Sequence, residues 1–153
     1  MDQEQGKDPA SFRIATGDQD LLKVMVVRGI VFVEEQQVDW EGEFDEFEQD
    51  AVHFLGEVDG QPVAAGRLRV LEDGWGKLER IAVRPGWRGQ GLAKQMVAAL
   101  LIEAQARGIR DLKLHAQAYL DKFYADFGFR KQGPAFIECG ILHILMVREG
   151  EAG

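Results

Sequence analysis

The chain has 153 residues, 46% of them hydrophobic, which suits one domain around a single core rather than two. Its 26 acidic against 18 basic residues give a formal net charge of −8, which argues against a nucleic-acid or anionic-membrane binder and favours a cationic or amine partner. A single cysteine, Cys139, and no apolar run near the ~18 residues of a membrane span point to a reducing, cytoplasmic setting.

The polar opening MDQEQGKDPA lacks the apolar stretch of a signal peptide. Residues 1–10 and 149–153 read as flexible tails around one domain spanning 11–148. Ser11 to Ala15 reads as a first strand. Thr16 or Asp18 then caps a helix that carries Leu21, Leu22, Met25 and Val26 toward the core and ends near Glu35. The acidic stretch VDWEGEFDEFEQD suits a loop with a turn or two of helix; it faces either a cationic acceptor or solvent. Two apolar runs meet at Asp59-Gly60, a strong hairpin signal, and a turn at EDGWG leads into a third run, KLERIAV, to complete an antiparallel meander. Leu92, Met96, Val97, Leu100, Leu101 and Ala104 form one helical stripe closed by Gly108. DLKLHA alternates as a strand. YLDKFYADFGF puts Leu120, Phe123, Tyr124 and Phe127 on one helical face, and AFIECGILHILMV reads as a closing hairpin. The order predicts an α/β or α+β domain, a mixed, mostly antiparallel sheet flanked by helices on both faces.

Between strand and helix stands RPGWRGQGLA, residues 84–93. First-turn amides of a helix lack intrahelical partners and sit at the positive end of the dipole, so glycines there let the backbone curl around an anion. Arg84 and Arg88 add charge at its edge. A nucleotide-like pyrophosphate is implied. A dinucleotide fold needs a third glycine and parallel strands, and a P-loop needs Gly-Lys-Ser/Thr; neither is present.

Arg88-Gly89-Gln90-Gly91-Leu92-Ala93 instead resembles the Arg/Gln-x-x-Gly-x-Gly/Ala signature of the GCN5-related N-acetyltransferase (GNAT) superfamily. Gln117 to Phe129 resembles that family's Asn-x-x-Ala-x-x-x-Tyr-x-x-x-Gly-Phe pattern, with Gln117 for Asn and Leu120 for Ala, and Tyr124, Gly128 and Phe129 in register. The stretch from Arg28 to Arg69 is similar to the small bacterial ElaA-like members, as is the hairpin ECGILHILM, although Leu142 stands there where a proline is expected. The resemblance implies an acyl-CoA N-acyltransferase fold and acetyl-coenzyme A as cosubstrate. It also implies direct acetyl transfer to a primary amine of a small molecule or a protein. Backbone groups of Ile81, Ala82 and Val83, the loop from Arg88 to Ala93 (with Gln90), Gln117 and Tyr124 are then the expected contacts of the cosubstrate. Ile81 or a neighbour would polarise the thioester carbonyl through its N–H.

By the same resemblance Tyr124 is the candidate general acid for the leaving thiolate, although its stripe also suits a core tyrosine. Glu79 is the candidate base, or a carboxylate paired with Arg67, Arg69 or Arg80 across the sheet. Phe32, Glu138 and His143 are candidates for the acceptor pocket. His53 and His115 sit on apolar strands, where packing and basic roles both fit. No metal site is expected, since the histidines are far apart and Cys139 has no partner. Two rivals remain. Arg28, Phe32, Trp40, Glu43 and Asp45 also resemble the start of acyl-homoserine-lactone synthases, which generally lack such a glycine loop. The fold would also serve as a non-catalytic acetyl-CoA binder. A homodimer through sheet edges is compatible with either reading.

Overall fold

The computed structural model describes residues 9–150. In chain order the elements are β1 (Ser11–Ile14), α1 (Gly17–Arg28), a π-helical turn (Gly29–Glu35), α2 (Trp40–Glu43), β2 (Val52–Val58), β3 (Gln61–Val70) and β4 (Gly76–Val83). There follow α3 (Leu92–Ala106), β5 (Leu112–Gln117), a 3-10 turn (Ala118–Leu120), α4 (Asp121–Ala125), β6 (Arg130–Lys131), β7 (Phe136–Glu138) and β8 (Ile141–Arg148). One mixed sheet of eight strands runs β1-β2-β3-β4-β5-β8-β6, with β7 also paired to β8. All pairings are antiparallel except β4 with β5. Of the expected tails, residues 1–8 and 151–153 lie outside the described residues. Ala10 packs against the core and the Gly150 N–H donates to Asp111.

Alternation along the strands separates two apolar faces. Phe54, Ala64, Leu68, Leu78 and Val83 pack with Met96, Val97 and Leu100 of α3. Leu55, Ala65 and Ala82 pack with Val24, Val27 and Val31 on the other face. The α3 stripe follows the sequence because its period is local. Gly66 lets α3 come close: a Cβ there would stand 2.9 Å from both Leu100 Cδ1 and Met96 Sδ.

The burial of α1 differs from the expected stripe. Leu22 and Val26 are 66% and 48% exposed, whereas Val24, Val27, Arg28 and Val31 are buried. The helix is turned so that Arg28, wholly buried, reaches Glu43 and Glu48, partners in the next loop that helical periodicity cannot reveal. That loop is only partly solvated: Glu43, Asp45 and Glu48 fold inward onto Arg28, Arg67 and Arg80, while Glu41, Glu46 and Asp50 stay exposed. The helix expected to carry Leu120, Phe123, Tyr124 and Phe127 up to Gly128 is a 3-10 turn followed by five α-helical residues, and the two-residue β6 was not foreseen.

Two features of β4 shape the site. Its pairing with β5 covers only Gly76–Leu112, Lys77–Lys113 and Leu78–Leu114, after which the two strands part. Against β3, Ala65 faces Ala82 and Arg67 faces Glu79, so Arg80 and Ile81 together oppose Gly66. Arg80 takes φ 55°, left-handed backbone that a non-glycine residue adopts only under tertiary constraint.

Candidate active site

A cavity of about 670 Å³ lies where β4 and β5 part. The end of β4 contributes Glu79, Ile81, Ala82 and Val83 to its wall, and the glycine loop contributes Arg88, Gly89, Gly91, Leu92 and Ala93. Gln117 enters from β5 and Tyr124 from α4; Phe32 comes from the π-helical turn, and Glu138 and His143 from the last hairpin. Gln90 is the exception, facing a separate depression beside Trp87 and Gln95.

Gly89 and Gly91 both take φ +82°, with nothing within 4 Å of where a Cβ would stand. α3 begins at Gly91 without a capping side chain, so its first-turn amides are not satisfied by one. This cradle fits a pyrophosphate. Arg88 is already engaged: its Nε donates to the Val83 carbonyl at 2.8 Å, and its two Nη atoms donate to Glu35 at 2.7 and 2.6 Å. Arg84 donates to the Pro62 carbonyl at 2.9 Å and does not line the cavity.

Tyr124 is 7% exposed and belongs to the core as well as to the cavity wall, with Phe123 and Phe129 edge-on to its ring. Burial, with Tyr119 adding to it, pushes its hydroxyl above the ordinary tyrosine range. Glu79 sits among cations. Its Oε1 accepts from Arg67 at 2.8 Å and Arg69 at 2.7 Å, and Lys77 lies 3.2 Å from Oε2. Burial would raise this carboxyl, but the Arg69 hydrogen bonds and the charges of Arg67 and Lys77 outweigh it and hold it at about 2.

Glu138 bonds His115 more closely than the expected His143. His115 Nδ1 is 3.0 Å from Glu138 Oε1, while His143 Nε2 is 3.9 Å from Oε2 and its Nδ1 is 2.8 Å from the Ile141 carbonyl. His115, like His143, lines the cavity. Sequence reasoning weighed His115 without placing it in the pocket; the only signal was its outward position in the alternation of β5. Gln117 Nε2 donates to Gln36 Oε1 at 3.1 Å, a partner 81 residues away with no local signature. His53 lies with the Arg28 and Arg67 network, its Nε2 2.8 Å from the Glu48 carbonyl and its buried Nδ1 without a partner among the described residues.

The arrangement offers a phosphate cradle, an unpaired stretch of strand edge, a buried phenol and a histidine with its carboxylate, all bordering one cavity. Comparison with known proteins shows the family. A family model described as "Acetyltransferase (GNAT) domain" matches residues 23–149. "Uncharacterized N-acetyltransferase YjcF" of Bacillus subtilis is 36% identical over 137 residues, covering 89% of this chain and 97% of its own. Escherichia coli ElaA superposes with a TM-score of 0.83 at 26% identity, covering 92% of this chain and all of its own. An acyl-CoA N-acyltransferase from Pseudomonas aeruginosa superposes at 0.80 with 28% identity, covering 92% and 98%.

Proposed function

Because the chain belongs to the GNAT acetyltransferase family and is an N-acetyltransferase, we propose that it transfers acetyl from acetyl-coenzyme A directly to a primary amine. The observation that carries this reading is the single cavity at the β4–β5 fork, bordered by the Gly89–Gly91 cradle and by Tyr124 alike. The amides of the loop and of the first turn of α3 hold the pyrophosphate. Leu92 and Ala93 continue the cradle, and Gln117 holds the far side of the fork.

Beyond Leu78 the edge of β4 is free of β5, so backbone groups of Ile81 to Val83 can pair with the pantetheine arm. The bulge at Arg80 and Ile81 re-aims the backbone there, and an N–H at Ile81 polarises the thioester carbonyl. Tyr124, kept protonated by burial, gives its proton to the departing thiolate. Glu79 is too weak a base at about 2 to take a proton from an amine; its role is to hold Arg67, Arg69 and Lys77 beneath the acceptor. Phe32 and His143 border the acceptor space. Placing the reactants side by side supplies much of the rate.

The test is thiol release from acetyl-coenzyme A with a panel of spermidine, glucosamine and a lysine-containing peptide. Amine-dependent release, with the acetylated amine found by mass spectrometry, supports the reading. Binding of the thioester with no amine consumed would make the protein a binding module instead.

A further inference from the structure

We infer that His115, oriented by Glu138, is the group that takes the proton from the attacking amine, an inference that rests on the acetyltransferase reading of the same cavity. Leu78 and Leu114 form the last pair between β4 and β5, so Glu79 and His115 are the first residues beyond the fork, one on each parting strand. Both line the cavity. Leu114 and Ala116 are buried in the core, and strand alternation turns His115 to the opposite face, where its side chain is 28% exposed.

Its two ring nitrogens have different surroundings. Nδ1 is 3.0 Å from Glu138 Oε1, while Nε2 has no partner among the described residues. Phe136 meets the ring edge-on at 5.0 Å and 78°, which fixes its plane. A carboxylate on Nδ1–H places the lone pair on Nε2 and stabilises the imidazolium once a proton arrives. Most of the other charged groups of this wall are engaged. Glu79 is held by Arg67, Arg69 and Lys77; Glu43 pairs with Arg80; Glu35 pairs with Arg88; His143 is bonded through Nδ1 to the Ile141 carbonyl. His115 differs from His143 in its orienter: its Nδ1 is hydrogen-bonded to a carboxylate, whereas that of His143 meets a backbone carbonyl.

The free-base amine attacks the thioester carbonyl carbon, and the C–N bond forms as the C–S bond breaks. His115 Nε2 takes the proton that the nitrogen sheds, and the thiolate takes one from the Tyr124 hydroxyl. The imidazolium returns its proton to solvent and the phenolate recovers one, so amine and thioester become amide and thiol with no net proton change.

The test uses the whole chain, with calorimetric binding of coenzyme A and thiol release on the best amine of the panel. His115→Ala is expected to bind coenzyme A as the parent does and to lose roughly 10²- to 10⁴-fold in kcat, with the acidic limb of its pH–rate profile gone and activity partly restored by added imidazole. Glu138→Gln is expected to lose less in kcat, because the imidazole keeps a hydrogen-bonding neighbour but loses its anionic orienter. His115→Gln, matched to the parent in thermal melting, guards against a folding artefact. A kcat within threefold of the parent for both His115 variants would overturn the assignment while leaving the acetyltransferase reading intact. A parent that does not bind coenzyme A would instead overturn that reading itself.

Discussion

Arg88 and Glu35 face each other through two parallel hydrogen bonds of 2.7 and 2.6 Å, joining the glycine loop to the end of the π-helical turn. Both residues line the cavity, so in the proposed function Glu35 would compete with the phosphates of coenzyme A for one guanidinium. Exposed pairs of this kind contribute ~1 kcal/mol or less. Glu35→Gln is therefore expected to tighten coenzyme A binding by about two- to fivefold at low salt, a gain that fades as salt rises. Weaker binding in the variant would mean that Glu35 holds Arg88 in position for the ligand.

Tyr124→Phe removes the hydroxyl and keeps the ring that packs against Phe123 and Phe129. Its kcat is expected to fall by about 10²-fold with unchanged coenzyme A affinity. Because burial raises this hydroxyl, the parent should show no alkaline decline attributable to Tyr124 at neutral or mildly alkaline pH. Unaltered kcat in steady-state assays would make Tyr124 a packing residue only.

Glu79 contributes stability through its depressed carboxyl, about 2 in the folded protein against an ordinary 4.5. The contribution is complete above the unfolded value and is lost as pH falls toward 2. Asp45 and Glu48, also depressed despite burial, act in the same direction. His53 joins them earlier: burial lowers it from 6.5, so below that pH protonation favours the unfolded chain. Urea unfolding should show the parent losing stability between pH 7 and pH 3, and Glu79→Gln losing about 2 kcal/mol less over that interval. Parallel pH curves for the two proteins would contradict this.

Arg28 is wholly buried and bonds Glu43 Oε2, the Glu43 carbonyl and both carboxylate oxygens of Glu48. Arg28→Leu leaves Glu43 buried with Arg80 as its remaining charge partner, and is expected to destabilise the fold by ~3–5 kcal/mol. Adding Glu43→Leu should recover part of that loss, because the uncompensated charge is then gone. Chemical denaturation of the two variants checks the pair.

The parts legible in the sequence are those whose cause is local. The turn at Asp59-Gly60 joins β2 and β3 as expected, and the apolar stripe of α3 keeps its register. The spacing of Gly89 and Gly91 before that stripe was enough to anticipate a tight glycine turn into α3. What escaped depends on residues distant in the chain. The buried face of α1 is decided by Arg28 meeting Glu43 and Glu48, 15 and 20 residues later. Glu138 bonds His115, 23 residues earlier, and that pairing needs the β5–β8 and β7–β8 registers together. Gln90 belongs to the same motif as its glycine neighbours yet faces the other way, since left-handed residues on either side of it redirect the chain.

Calorimetric titration of acetyl-coenzyme A into the parent, Gly89→Ala and Gly89→Glu tests the central claim most directly. Both substitutions meet the same backbone strain at φ +82° and open space around Cβ, so alanine isolates strain from charge. The account predicts that the parent binds, that Gly89→Ala binds more weakly, and that Gly89→Glu loses at least a further order of magnitude by setting a carboxylate against the pyrophosphate. A parent that does not bind, or a glutamate variant that binds as well as the alanine one, would contradict the role given to the loop.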